Sequence, residues 1–248
     1  MKRYALLFGN TNDLPGITKD LIGWKKFLTS DIGGAWRTDE ILVLEDVSIV
    51  LLNNVIRAIK HVRKPDFLIV VYSGHSGYED NKLILEINED GDTIDANELK
   101  HLAKRQINVF DSCRSVEKEE PLTEEIKRFT LTDNGIKSIR EAYDDRIMQA
   151  CEQNVSLYAC SKGEYARDSN EGGYYIKNLL NAARKIDIGE KYLTVGHVHM
   201  IAAKATAEEV KIAENETQTP DACLPKLPVD KQLILSINPR MIKPNRVL

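Results

Sequence analysis

Apolar residues along the chain follow two alternating periodicities. Tyr4 to Phe8, Glu40 to Leu44, Phe67 to Tyr72, Ile107 to Phe110 and Asn154 to Cys160 are short apolar runs of strand length. Between them, Leu21, Trp24 and Leu28 share one helical face, and Leu51, Leu52, Val55, Ile59 and Val62 share another until Pro65-Asp66 breaks it. Asp95 to Leu102 reads as a short helix, Leu83 to Ile87 as part of a hairpin, Tyr174 to Ala183 and Thr194 to Ile212 as amphipathic helices, and Gln232 to Ile237 as a last strand. The Phe67–Tyr72 run has no polar face. It must be covered on both sides, as in the middle of a parallel sheet between helices. The expected fold is therefore a three-layer α/β/α sandwich with a mostly parallel central sheet. Residues 116–150 break the pattern: Val116-Glu-Lys-Glu-Glu120 opens a charged stretch with few apolar anchors, read as a linker or an inserted helix pair.

Composition narrows the class. A chain of 248 residues with 42% hydrophobic residues and a net charge of -4 can build one sizeable core and is not of disordered type. No apolar run approaches about 18 residues, so no membrane partner is expected. The first run is too short for a signal peptide and is interrupted at Asn10. An acidic pI near 5.8 without a basic block argues against nucleic acid. Cys113, Cys151, Cys160 and Cys223 form no CxxC pair, which fits a reduced, cytoplasmic protein.

Chemistry belongs beyond the carboxyl ends of the central strands. Phe67–Tyr72 runs into Ser73-Gly74-His75-Ser76-Gly77, and Ile107–Phe110 runs into Asp111-Ser112-Cys113-Arg114-Ser115. Parallel neighbouring strands would bring His75 and Cys113 to the same edge. An imidazole beside a thiol raises the thiolate fraction, and glycines let backbone approach a substrate. An oxyanion would need backbone N–H groups near the sulfur; Cys113 with Ser76 or Gly77 are the candidates. Cys151, Cys160 and Cys223 read as inert core thiols. His197 and His199, at i and i+2 on a helix, do not face each other and read as structural.

Tyr72-Ser-Gly-His75-Ser-Gly77 followed by Val109-Phe-Asp-Ser-Cys113-Arg-Ser115 resembles the caspase–metacaspase superfamily of cysteine peptidases, in which the histidine precedes the cysteine. Ala5-Leu-Leu-Phe-Gly9, Leu14-Pro-Gly16, Asp20 and Phe27-Leu28 are similar to that family's first strand, loop and helix. Asn154 to Ser161, Gly172-Gly-Tyr-Tyr-Ile176 and Gln218-Thr-Pro220 are similar to its small-subunit portion. The likeness covers residues 4–115 and 154–238. It implies one caspase-like domain, with 1–115 large-subunit-like, 116–150 a linker or insertion, and 151–238 small-subunit-like. It also implies Cys113 as nucleophile and His75 as general acid/base, working as a dyad on a protein or peptide substrate.

The same likeness bears on specificity. Caspases that cut after Asp use arginines; one such position is Leu14 here, whereas Arg167 falls near another. Metacaspase-like members cut after Arg or Lys with acidic pockets, and Asp20 and Asp111 match those positions, with Asp168 a third acid. Carboxylates facing a guanidinium form charge-assisted, bidentate bonds, so cleavage after Arg, with Lys second, is expected. Three residues depart from the family pattern. Ser76 stands where many members have Gly, Ile17 replaces a second cysteine, and Asn88-Glu-Asp90-Gly-Asp92 with Asp95 matches the calcium cluster only in part. That acidic turn lacks the alternating ligands and terminal Glu of a calcium loop, so no cofactor or metal is expected, and calcium dependence has weak support.

Such a peptidase needs restraint, either by self-cleavage at basic residues of the 116–150 stretch (Lys118, Lys127, Arg128, Lys137, Arg140, Arg146) or by an activating partner or small ligand. Two competing readings stay open: a catalytically silent module that binds or scaffolds other proteins, and an Asp-specific peptidase.

Overall fold

The computed structural model describes residues 1–114 and 138–242. In chain order its strands are β1 (Arg3–Gly9), β2 (Ile41–Glu45), β3 (Phe67–Ser73), β4 (Ser76–Glu79), β5 (Lys82–Glu86), β6 (Thr93–Asp95), β7 (Arg105–Asp111), β8 (Gln153–Tyr158), β9 (Asp168–Ser169), β10 (Gly172–Gly173), β11 (Tyr192–Thr194), β12 (Asp221–Cys223) and β13 (Ile234–Ile237). The helices are α1 (Ile17–Thr29), α2 (Ile49–Ala58), α3 (Ile139–Gln149), α4 (Tyr174–Arg184) and α5 (Val195–Ala213).

Six strands form the main sheet in the order β12-β8-β7-β3-β1-β2. β2, β1, β3, β7 and β8 run parallel, and β12 joins β8 antiparallel at the edge. All seven residues of β3 are buried. Alternation along β1 divides the core as a strand must. Ala5 and Leu7 pack with Trp24, Tyr143, Leu179 and Ala202 from α1, α3, α4 and α5 on one face. Tyr4, Leu6 and Phe8 pack with Leu52 and Ile56 of α2 and with Leu85 and Ile94 on the other. That second layer includes the small antiparallel sheet β4-β5-β6. The molecule is thus a three-layer sandwich with a mostly parallel sheet.

Three expectations change. First, the stretch 116–150 is not linker to its end, because α3 packs into the core through Ala142, Tyr143, Arg146 and Ile147. A capping box starts it: Ser138 Oγ accepts from Glu141 N at 3.2 Å and Glu141 Oε2 accepts from Ser138 N at 2.8 Å. With so few apolar anchors its periodicity is weak, although the Ser-x-x-Glu signal was there to read. Second, Asp95–Leu102 shrinks to a single 3₁₀ turn, Ala96–Leu99. Third, the last strand begins at Ile234 and pairs antiparallel with β11, outside the main sheet.

Candidate active site at the ends of two central strands

β3 and β7 are parallel partners in a register that sets Ser73 opposite Asp111. His75 and Cys113 each lie two residues beyond that last pair, so both leave the same edge of the sheet. The crossover is tied by Gly74 N donating to Asp111 O at 3.1 Å. Gly74 turns the chain at φ +153°, and a Cβ there would meet the Tyr72 hydroxyl oxygen at 2.7 Å, so glycine is required. His75 and Cys113 both line a cavity of about 360 Å³ whose other walls include Leu14, Ala166, Arg167 and Asp168.

The imidazole is oriented by backbone. His75 Nε2 lies 2.9 Å from the carbonyl oxygen of Asn12. A carbonyl only accepts, so Nε2 carries the proton and Nδ1 is left as the base. Asn12 is a site residue that sequence reasoning missed: a main-chain oxygen is independent of residue type and leaves no signature. The Tyr72 hydroxyl lies 2.6 Å from the His75 carbonyl oxygen and fixes the turn from below.

Cys113 is half-buried, and its Sγ lies 3.8 Å from the Ala166 carbonyl oxygen. Burial pushes its pKa up, the Asp111 charge adds to this, and the Arg167 charge opposes it. The resting sulfur is therefore a thiol. The backbone around it decides which amides remain available. Glu86 N donates to His75 O at 3.0 Å, and Ser76 stands opposite Leu85. That makes Ser76–Leu85 a wide pair and Gly77–Ile84 a hydrogen-bonded one. The Gly77 N–H is spent on the β4–β5 ladder and drops out of the oxyanion candidates; the Ser76 N–H turns away from β5, and remains one with Cys113. The Ser76 hydroxyl donates to the Cys113 carbonyl oxygen.

Three carboxyl groups converge beside this cavity around glycine backbone. Asp111 Oδ2 accepts from Ile176 N at 3.2 Å in the first turn of α4, where the helix N-terminus favours negative charge. Asp20 lies behind the wall rather than on it. It accepts from Gly173 N at 3.1 Å and from the Ser73 hydroxyl at 2.9 Å. Asp20 does not cap α1, whose N-cap is Gly16. Asp168 Oδ2 accepts from Gly16 N at 3.1 Å, and its Oδ1 is buried beside the Ser169 backbone. Cβ atoms would crush this cluster: one at Gly173 would lie 2.3 Å from Asp111 Oδ2, and one at Gly16 would lie 2.1 Å from Asp168 Oδ1. Burial and the neighbouring Asp111 charge push Asp20 up to about 8. Burial, opposed by the Ile176 hydrogen bond and reinforced by Asp168, pushes Asp111 up to about 7. Burial also raises Asp168.

Arg167 lines the same cavity, with Nη2 3.4 Å from Glu216 and its buried Nε without a hydrogen-bond partner. The loop that carries it is tied down by Gln218, a fully buried side chain that accepts from Arg167 N at 2.9 Å and donates to Ala159 O at 2.9 Å. Sequence reasoning had noted Gln218 only as part of a tail motif. Arg114, next to Cys113, donates to Asp221 Oδ2 at 2.8 Å, to Cys160 O at 3.1 Å and to the Tyr78 hydroxyl at 3.1 Å.

The other singled-out residues lie elsewhere. In the acidic turn, Asn88 Oδ1 accepts from Asp90 N and Asp92 N, and Asp92 Oδ2 accepts from Ile49 N, so these oxygens are engaged with the protein's own backbone. Among the described residues no three His, Cys, Asp or Glu converge as a metal would require, and no helix is long and apolar enough to cross a membrane. His199 is buried against the Tyr175 hydroxyl at 2.7 Å, and burial pulls its pKa down to about 4. Cys160 is buried, but Cys151 and Cys223 are exposed and not core thiols. Cys151 follows α3 in a turn, and Cys223 ends the edge strand β12.

Residues 2–224 match the family model described as the caspase domain. A crystal structure of caspase-1 from Spodoptera frugiperda superposes with a TM-score of 0.57 at 12% identity, covering 90% of this chain and 86% of that one. At that identity the likeness speaks for the fold. No curated protein matches the sequence.

Proposed function

The chain belongs to the caspase-domain family of cysteine peptidases, and on that premise we propose that it is an endopeptidase of metacaspase-like specificity, cutting after arginine and secondarily after lysine with Cys113 and His75 as its dyad. A peptide carbonyl enters beside Cys113. The thiol proton passes to His75 Nδ1 as sulfur bonds to the carbonyl carbon. The oxyanion is held by the N–H groups of Ser76 and Cys113. The carbon–nitrogen bond then breaks, and the amine leaves with the proton from Nδ1. Water, losing a proton to the same nitrogen, hydrolyses the thioester and restores the thiol.

The observation that carries the specificity is the set of carboxyl groups at the cavity wall. Asp111 and Asp168 line it with Asp20 behind, while its one arginine is turned onto Glu216. A guanidinium entering there would meet the Asp168 and Asp111 carboxyl groups, and its charge would favour the ionised form of the raised Asp111 and Asp20. An aspartate side chain would add a fourth carboxylate.

On the same proposal, the resting enzyme awaits activation. Processing is one route. Lys118, Lys127, Arg128 and Lys137 lie outside the described residues. Arg140 and Arg146 drop out as cleavage sites: both sit in α3, the first bonded to Glu40 at 2.8 Å and the second buried with a bond to Val229 O at 3.0 Å. A partner or small ligand is the other route. Intact mass before and after incubation decides: one unbroken chain with full activity dismisses processing.

A profiled peptide library, run with the parent and with Cys113→Ala, tests the reading. Turnover after Arg that vanishes with Cys113→Ala is expected. Turnover after Asp would overturn the specificity, and no modification of Cys113 by an Arg-chloromethylketone would favour the silent module.

A further inference from the structure

We propose that the side chain of Ser76 is a positioning residue, whose hydroxyl braces the hairpin carrying His75 to the loop carrying Cys113. The inference deepens the peptidase reading and rests on it. Ser76 and Tyr78 point to the same face of β4, two residues apart. Both reach the nucleophile loop: Ser76 Oγ donates to the Cys113 carbonyl oxygen, and the Tyr78 hydroxyl accepts from Arg114 Nη2 at 3.1 Å. Gly77, between them, has open space where a Cβ would stand. One face of a short strand thus grips two successive residues, the reactive cysteine and the one after it.

The two grips differ in what they fix. The Tyr78–Arg114 contact holds a side chain that is already anchored to Asp221 and Cys160. The Ser76 bond holds the carbonyl end of the peptide plane that follows Cys113, whose N–H end is held by Arg114 N donating to Glu164 O at 3.0 Å, and it is the Ser76 bond that ties this plane to the His75 hairpin. Without that tie the His75 hairpin and the Cys113 loop lose a direct side-chain link, and the spacing between imidazole and sulfur is less firmly set. The same serine supplies the other N–H proposed for the oxyanion, so a single residue sets the distance between the two donors. Oxyanion donors act by being fixed in advance at the place where charge develops. A glycine here, as the resembling family often has, would supply the amide and not the brace.

The rest of the hairpin does not depend on this bond. β4 pairs with β5, β5 with β6, and the Tyr72 hydroxyl holds the turn at His75. Ser76→Ala should therefore fold, with a small change in melting temperature. The expected result is a fall in kcat of about 10-fold on an Arg-containing peptide with KM little changed, since small displacements of reacting groups act on the chemical step. Alkylation of Cys113 by an Arg-chloromethylketone, read by mass spectrometry, should slow by a similar factor. Ser76→Thr, which keeps the hydroxyl, should recover most of both. An unchanged kcat in Ser76→Ala, a loss confined to KM or melting temperature, or a threonine variant as slow as alanine would overturn the proposal. A parent that neither turns over peptide nor is alkylated at Cys113 would instead overturn the peptidase reading, and is recognised without any variant.

Discussion

The buried carboxyl pair Asp20–Asp111 makes the stability of this protein depend on pH in an unusual direction, and Asp20→Asn isolates the effect. An unfolded aspartate titrates near 3.9. In the folded chain Asp20 is pushed up to about 8 and Asp111 up to about 7 by burial and by repulsion within the acidic cluster. Between those limits the folded state keeps protons that the unfolded state has lost, so stability falls as pH rises from about 4 and levels off above about 8. A rise from 3.8 to about 8 for Asp20, at about 1.4 kcal/mol per pH unit, bounds its cost at about 6 kcal/mol. Part of that belongs to the pair, because the first carboxyl to ionise raises the second, so removing one partner recovers less than this bound. Asparagine keeps the shape and one acceptor, so the Gly173 N–H or the Ser73 hydroxyl retains a partner. Urea unfolding of Cys113→Ala, which cannot cut itself, should lose stability steadily from pH 5 to pH 9. The same protein with Asp20→Asn should show a much flatter profile and be the more stable of the two at pH 9. Parallel profiles with equal slopes would refute the reasoning.

Asp168→Asn should lower kcat/KM for Arg peptides by about 10- to 100-fold, the worth of one charge-assisted contact, while iodoacetamide reactivity of Cys113 stays near the parent's; equal turnover would remove Asp168 from the pocket. Gly173→Ala should cost about 1–3 kcal/mol in urea unfolding, because its Cβ would lie 2.3 Å from Asp111 Oδ2 and 3.3 Å from Asp20 Oδ2, both buried carboxyls held by hydrogen bonds. It should also blur the preference for Arg. Arg114→Ala should cost about 3 kcal/mol by the same measurement, since it strands the Cys160 carbonyl, leaves Asp221 without its cation and removes a guanidinium stacked 4.0 Å from the Tyr158 ring. An unchanged midpoint would show that β12 does not need this anchor.

Much of the architecture was legible because strands buried on both faces must be apolar at every position, as Phe67–Tyr72 is, and because turn residues and reactive side chains followed two of them directly. The elements missed were those whose burial is slight or borrowed. α3 offers few apolar anchors among its charges, and β9, β10 and β12 are two or three residues long and exist only through partners distant in sequence. The exposed Cys151 and Cys223 were misjudged because a cysteine's chemistry does not reveal its depth.

The residue types at the strand ends, and hence the class of chemistry, were determined by the sequence itself: a thiol, an imidazole and a set of acids, each placed by a local pattern. Which nitrogen of His75 carries the proton was decided by the Asn12 carbonyl, 63 residues away. The ion pair of Arg167 was decided by Glu216, and the place of Asp20 behind the wall by Gly173 and Ser73. These are contacts between backbone groups and side chains far apart along the chain. Local periodicity records how each segment meets water, and it carries no information about which distant atom it will touch once the sheet has set its register.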